Sequence, residues 1–168
     1  EPVNAARNRF YSLEFFEALH SRLKQGGVLA LSIPGAPEAL GKTQARMLRR
    51  VHATLRAVFP RVLALPGERI TLLASPDASR NWPDSETMVA RLQMRVPDPT
   101  FFLEPNVREM FSPFKQGYFQ ALFQKDPPGG LNRDFHPACY LDSLLAWSRQ
   151  INEGLYERLR FLADKRGL

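Results

Sequence analysis

Residues 61–75, RVLALPGERITLLAS, contain two strand-like runs joined by a short link. Branched and apolar residues fill both runs, which is typical of β-strands. Pro66, Gly67 and Glu68 separate the runs, and so short a link lets them pair side by side in opposite directions. The stretch therefore predicts an antiparallel pair of strands.

Another apolar run, VLALSIP at residues 28–34, lies upstream of this pair and is stopped by Pro34. Its length and its branched residues are typical of a strand that is buried on both faces, as in a parallel sheet. We therefore expect a third strand here, with parallel neighbours.

Helical patterns flank that strand. Residues 8–27 carry apolar side chains at three-to-four spacing, with Ser12 as a candidate cap and glycines at the end. Residues 43–59 show a second apolar stripe, formed by Met47, Val51, Leu55 and Val58, and the arginines are expected to face outward. The order helix, strand, helix, strand, strand predicts an open α/β sheet over residues 1–75.

The rest of the chain reads as a connector at residues 76–83 followed by a helical region at residues 84–168. Asp84 and Ser85 are candidate caps for its first helix. Prolines and aromatic residues in the middle predict short helices. Residues 140–168 predict one long helix, with an apolar side formed by Leu141, Leu144, Leu145, Ser148, Ile151, Leu155 and Leu159.

Composition limits the classes of function. The chain has 168 residues, 44% of them hydrophobic, which is enough for a globular core. The formal charge of +6 can attract anions, but a solvated basic surface is the simpler interpretation. We expect no nucleic-acid function. Cys139 is the single cysteine, so no internal disulfide can form.

The stretch PGAPEALGKT, residues 34–43, looks at first like a phosphate-binding loop, because it ends in Gly-Lys-Thr between a strand and a helix. The motif has four residues between its glycines, whereas Gly35 and Gly41 have five. Pro37 also removes one backbone donor. The sequence therefore favours a plain strand-to-helix turn, with Lys42 and Thr43 in the first turn of the helix.

Other chemistry-bearing residues are sparse. The three histidines show no metal-ligand spacing, so we expect no metal site. His136 and Cys139 could form a base and nucleophile, although a packed cysteine is favoured. Asn132, Asp134 and His136 lie in one polar segment, either presented to a ligand or used to cap the following helix, with capping favoured. Residues 112–119 either line a pocket or, as we favour, belong to the core.

The first part of the chain resembles the spermidine synthase family, the polyamine aminopropyltransferases. RNRFYSLEFF at residues 7–16 resembles the helix that follows the family's Asp-Pro step, and Glu1-Pro2 stands at that step. GGVLALS at residues 26–32 and the strand pair at residues 61–75 resemble the family's later strands. The likeness covers about residues 1–75 and is closest to a bacterial branch that is fused to membrane helices. Residues 131–145 also resemble that branch, less specifically.

This resemblance implies the C-terminal half of a Rossmann-like methyltransferase fold, followed by a helical region. It implies transfer of an aminopropyl group from decarboxylated S-adenosylmethionine to a polyamine. The cofactor loop and the first catalytic aspartate of the family would lie before Glu1, so the chain alone should be inactive. Glu1, Asp134 and His136 are the expected substrate-binding residues. Glutamate instead of aspartate at position 1, and LPGERI without a tyrosine, depart from the family pattern.

The implied partners are the N-terminal half of the same domain, a polyamine, and as an open option a second copy of the chain. Membrane helices elsewhere in the parent would place the domain in the cytoplasm, on the inner face of a bacterial membrane. Two alternatives stay open. One is an S-adenosylmethionine-dependent methyltransferase of the same fold, and the other is a non-catalytic binding or membrane-assembly module.

Overall fold

The structure is a computed structural model that describes residue 2 and residues 4–36, 40–95, 104–127 and 129–165. Its strands are β1 (Leu29–Pro34), β2 (Arg61–Leu65) and β3 (Arg69–Ser75). A 3-10 turn spans Arg9–Tyr11. The helices are α1 (Ala5–Asn8), α2 (Leu13–His20), α3 (Lys42–Arg56), α4 (Ser85–Arg95), α5 (Glu104–Met110), α6 (Pro113–Phe123), α7 (Ala138–Ile151) and α8 (Glu153–Lys165).

The three strands form one sheet in the order β1-β3-β2. β3 pairs antiparallel with both neighbours, which confirms the predicted strand pair at residues 61–75. The expectation of parallel neighbours for residues 28–34 is wrong, because the returning strand of the hairpin lies directly beside β1. Since both outer strands oppose β3, β1 and β2 run parallel to each other, one strand apart. The chain is thus α/β in the broad sense.

One face of the sheet carries the core. Register pairs such as Ile33 with Ile70 and Leu31 with Leu72 bring the inward side chains side by side. Phe16 of α2 and the apolar stripe of α3 belong to the same buried cluster. Burial of this kind stabilises the fold by about 25 cal/mol for each Å² of apolar surface removed from water.

The opposite face of the sheet is less covered. In β1, Ala30 and Ser32 are exposed, so the expectation that this strand is buried on both faces is also wrong. In the other two strands, the outward positions include three half-buried leucines, Leu63, Leu65 and Leu73, beside the exposed Arg61 and Arg69. A one-sided antiparallel sheet usually turns polar residues outward, so the three leucines are unusual there.

Helix α3 departs from its prediction in where its arginines lie. Met47, Val51 and Leu55 are buried as expected, but Arg50 is buried as well, with no exposed side-chain surface. The expectation that the arginines face outward is therefore wrong for Arg50, and Arg46 is also mostly buried, with 22% of its side chain exposed. The partner of Arg50 is Asp142 of α7, with Nε and Oδ2 at 2.9 Å. The cost of burying a charge is offset by that partner.

The predicted long helix at residues 140–168 is wrong as a single element, because it breaks at Asn152. This residue is extended, with φ −159° and ψ 125°. Its side-chain oxygen accepts hydrogen bonds from the backbone N–H groups of Gly154 (2.8 Å) and Leu155 (3.2 Å). Asn152 thus caps α8, a role for which asparagine is well suited. The break leaves Ile151 exposed rather than on a shared apolar side.

Of the three caps proposed for α2 and α4, Ser12 and Asp84 are present, whereas Ser85 is the first residue of α4. Ser12 accepts a hydrogen bond from the Phe15 N–H at the start of α2, at 3.3 Å. Asp84 accepts one from the Thr87 N–H at 2.8 Å. Within the described ranges, the structure contains no helix whose length and hydropathy would let it cross a bilayer.

Candidate functional site

The site predicted from sequence centres on the loop before α7, and this loop docks against the start of α2. The backbone N–H of Asp134 donates to Glu14 Oε2 at 3.1 Å. Arg133 Nη1 lies 3.5 Å from the other oxygen of the same carboxylate. Glu14 belongs to the FYSLEFF segment, so the fold brings the two stretches with family likeness into contact, although 120 residues separate them.

Asp134 keeps unused acceptor capacity. Its Oδ2 lies 3.9 Å from Arg9 Nε, whose side chain is largely exposed. Its Oδ1 is buried and accepts no hydrogen bond from the described residues. A carboxylate oxygen that lacks a donor is a suitable acceptor for an ammonium or amine group.

His136 lies beside Asp134 in a tight turn of the same loop. Its backbone N–H donates to Arg133 O at 3.3 Å, and the Arg133 N–H donates to His136 O at 3.1 Å. These bonds fix the backbone of the turn and leave the imidazole half-buried. Glu1, the third predicted binding residue, lies outside the described residues.

Asn132 in the same segment has a structural role. It is fully buried, and its side-chain oxygen accepts a hydrogen bond from the Cys139 N–H at 3.0 Å. The Asn8 side chain accepts another from the Tyr140 N–H at 3.1 Å. Two asparagines from distant segments thus satisfy the first amides of α7, since Pro137 provides no side-chain cap. The capping interpretation is confirmed for Asn132.

Cys139 is unsuited to nucleophilic chemistry. It is completely buried, and burial raises the pKa of its thiol far above the ordinary value, with Asp142 adding to the rise. A thiol in this environment stays protonated, whereas the thiolate is the reactive form. The packed-cysteine interpretation therefore fits, and the His136–Cys139 pair gains no support. Among the described residues, no three histidine, cysteine, aspartate or glutamate side chains are grouped to hold a metal ion.

The glycine-rich turn after β1 is explained by packing. A Cβ on Gly35 would lie 2.4 Å from the backbone oxygen of Gly67, in the turn between β2 and β3. The Gly35 N–H also donates to Glu68 O at 2.8 Å. Glycine is needed because two backbone turns touch there. Lys42 and Thr43 lie in the first turn of α3, as expected.

A buried ionic cluster joins α3 to α7. The Asp142 carboxylate lies 2.8 Å from Arg46 Nε and 2.9 Å from Arg50 Nε. Arg50 Nη1 also donates to Gly130 O at 2.8 Å. Burial raises the pKa of Asp142, and the two guanidinium groups offset part of that rise. This cluster could not be predicted from the sequence, because Arg46 and Asp142 are 96 residues apart and share no local pattern.

A cavity of about 390 Å³ lies between α3, β2 and α6. Its wall includes His52, whose ring stacks on Phe123 with centroids 3.7 Å apart and planes 6° from parallel. Burial, helped by the nearby positive charge of Arg56, lowers the pKa of His52 to about 4. His52 is thus neutral at pH 7 and acts as a packing ring. The core interpretation of residues 112–119 is confirmed for Phe119, which is buried, but it is wrong for Phe114 and Tyr118, which are 85% and 40% exposed.

Comparison with protein-family models found no match to this chain, and comparison with curated protein sequences also found none.

Proposed function

We propose that this chain is the C-terminal half of a spermidine synthase-like aminopropyltransferase domain with a Rossmann-like fold. Joined to its N-terminal half, it transfers an aminopropyl group from decarboxylated S-adenosylmethionine to a polyamine, and alone it is inactive. The observation that carries the proposal is the relation between β1, α3 and β2.

β1 and β2 run parallel and are connected through α3. A strand, helix and parallel strand form the unit from which doubly wound α/β sheets are built. In such sheets ligands bind beyond the carboxyl ends of the strands. For β1 this end is Pro34, which leads into the turn before α3. The connection therefore supports a Rossmann-like half-domain.

The uncovered parts of the sheet support a missing half. The outer side of β1 has no strand neighbour among the described residues. The outer face of the sheet also carries half-buried apolar side chains, including Leu63 and Leu73. In doubly wound folds both faces are covered by helices. An N-terminal half supplying one more strand and covering helices would bury these surfaces.

The acceptor side chains of the docked loop favour a polyamine at its surface. A polyamine carries ammonium groups, and carboxylate oxygens are their natural partners. The Asp134 side chain is 24% exposed and its Oδ2 is held only loosely, 3.9 Å from Arg9 Nε. His136 lies two residues further along. We assign these two residues, with Glu1, to binding of the polyamine.

In the proposed reaction, the amine nitrogen attacks the aminopropyl carbon and the carbon–sulfur bond breaks. Its electron pair stays on sulfur, which becomes a neutral thioether, and a carboxylate takes the amine proton. Glu14 is already bound by the loop through Asp134 and Arg133. Glu14 is therefore not assigned to the sulfonium co-substrate, whose binding we assign to the N-terminal half.

A direct test compares this chain with its parent protein. The parent, incubated with decarboxylated S-adenosylmethionine and putrescine, should release spermidine and methylthioadenosine, whereas the chain alone should release neither. The residues before Glu1 should contain a strand, a glycine-rich turn and an aspartate three positions upstream of Glu1. Turnover by the chain alone, or an inactive parent, would contradict the proposal.

The same experiment separates the alternatives. If S-adenosylmethionine supports methyl transfer by the parent while its decarboxylated form gives no product, the domain is a methyltransferase. If neither compound shifts the melting temperature of the parent, it is a non-catalytic binding or membrane-assembly module. As part of the proposal, we place the domain in the cytoplasm, at the inner face of a bacterial membrane when the parent carries membrane helices.

A further inference from the structure

A concave surface between α3, α7 and α8 carries positive charge that has no role in the proposed function. Two cavities, of about 550 Å³ and about 390 Å³, share Lys42, Thr43 and Arg149 in their walls. We call this pair of cavities the cationic groove. Because it opens beside the first turn of α3, it lies near the turn that follows the carboxyl end of β1.

Positive side chains from three helices converge on the groove. The smaller cavity is lined by Lys42 and Arg46 of α3, Arg149 of α7 and Arg160 of α8. Like charges brought together from separate elements repel one another unless an anion lies between them. Their convergence on one concave surface therefore favours the binding of an anion.

The carboxylates around the groove compensate only part of this charge. Glu153 and Glu157 line the smaller cavity, against four cationic side chains. Asp142 lines the larger cavity, but its carboxylate is bound by Arg46 and Arg50. The wall as a whole keeps an excess of positive charge, which is the wrong sign for a polyamine.

Lys42 and Arg149 are the cations of the groove whose charge no described carboxylate neutralises. Within the described part of the chain, neither of them makes an ion pair. Arg149 stacks on the Tyr156 ring at 5.7 Å, which orients its guanidinium without neutralising it. By contrast, Lys115 on the far surface pairs with Glu109 at 2.6 Å.

The start of α3 adds neutral donors to these charges. Gly41 is its N-cap and provides no side-chain hydrogen bond, so the first amides of the helix depend on another acceptor. Thr43 lines both cavities and carries a hydroxyl. Two free cations, a hydroxyl and uncapped amides are the donor types that bind phosphate oxygens.

We propose that the cationic groove binds a small phosphate-bearing ligand, with the phosphate held between Lys42 and Arg149. The site is separate from the polyamine surface of Asp134 and does not depend on the proposed transferase activity. It also differs from a phosphate-binding loop, because Arg149 of α7 supplies one of the two essential charges.

The experiment is a calorimetric titration of the chain with inorganic pyrophosphate at low salt. Lys42→Gln combined with Arg149→Gln should weaken binding about tenfold or more, since two charge-assisted contacts are lost. The control is Lys125→Gln combined with Arg158→Gln, which removes the same charge from exposed positions outside the groove. The control should change affinity by less than about twofold.

Circular dichroism of every variant checks that the helices are retained. Because Arg149→Lys keeps the positive charge, it should bind pyrophosphate more tightly than Arg149→Gln does. The absence of saturable binding would overturn the proposal. Equal weakening in the groove variant and in the control would also overturn it, because that result means general charge attraction. Neither outcome affects the transferase test, which measures product from the parent protein.

Discussion

The two edges of the sheet differ in how far other parts of the described chain cover them. Along β2, helix α6 packs close, and Gln116 Nε2 donates to Ala64 O at 3.3 Å and to Met110 O at 2.8 Å. Along β1, the described structure places no strand, and Ala30 and Ser32 are exposed. An unprotected edge is a template for pairing with another chain. The difference shows that α6 partly covers the β2 edge, whereas the β1 edge has no such cover among the described residues and is where we propose that the N-terminal half pairs.

The largest effect on stability should come from the buried ionic cluster that joins α7 to α3. Asp142→Ala leaves Arg50 buried without its carboxylate, and we expect a loss of about 3–5 kcal/mol in the free energy of unfolding. Urea denaturation measures it. Glu109→Ala breaks the exposed pair with Lys115 and should cost no more than about 1 kcal/mol. Similar losses in the two variants would mean that the buried cluster adds nothing special.

Acid should loosen α6 from α3, because His52 of α3 stacks on the ring of Phe123 at the end of α6. Unfolded histidine has a pKa near 6.5, whereas folded His52 has a pKa of about 4. The unfolded chain therefore binds more protons between these values, so stability is full above pH 6.5 and falls as the pH drops toward 4. The loss is at most about 3 kcal/mol.

This part of the pH dependence can be isolated by substitution. Urea denaturation between pH 4 and 7 should give a shallower slope for His52→Gln than for the original chain. His136→Gln is the matched control, since it removes another histidine but leaves the stack on Phe123 intact. If His52→Gln and the original chain gave parallel curves, the stack would not be the origin of the acid sensitivity.

A smaller effect is expected at the hydrogen bond that covers the β2 edge. Gln116→Ala removes the donor to Ala64 O and should cost about 0.5–1.5 kcal/mol. Hydrogen exchange of β2 amides should accelerate in the same variant. Gln120→Ala changes an exposed glutamine on the same helix and serves as control. Unchanged exchange in Gln116→Ala would show that α6 protects this edge by packing alone.

The smallest change in stability belongs to the open edge. Ala30→Lys places a charge beside an unpaired strand and should leave the free energy of unfolding within about 0.5 kcal/mol. It should, however, reduce self-association in light scattering, because edge charges block pairing. Ala121→Lys on the exposed side of α6 is the control. Equal effects of both substitutions on association would argue that the β1 edge is not a docking surface.

The same comparison explains what the sequence could predict. The link of Pro66, Gly67 and Glu68 is local, so the pairing of β2 with β3 could be predicted from it. The position of β3 beside β1 could not, because Leu29 and its partner Ala74 are 45 residues apart and tertiary packing sets their register. The placement of strands was therefore harder to predict than their existence.

The same difference between local and distant contacts decides which side-chain roles could be predicted. Ser12 and Asp84 could be predicted as caps because each bonds an amide three residues ahead. Burial of Arg50 could not be predicted, since its stripe looks amphipathic and the acid that neutralises it belongs to another helix. Asn152 did carry a local signal, an asparagine before Glu and Gly, which the apolar periodicity on both sides concealed.

During synthesis on the ribosome, Arg50 is made well before the residues that bind its side chain. Its partners Gly130 and Asp142 follow it by 80 and 92 residues. At about 5–20 residues per second, α3 would wait roughly 5–20 s before the acid that neutralises its inward arginine is made. During that interval the hairpin of β2 and β3 can already form, while the guanidinium keeps α3 partly hydrated. The nascent chain would then be most exposed to chaperones and proteases just before α7 emerges.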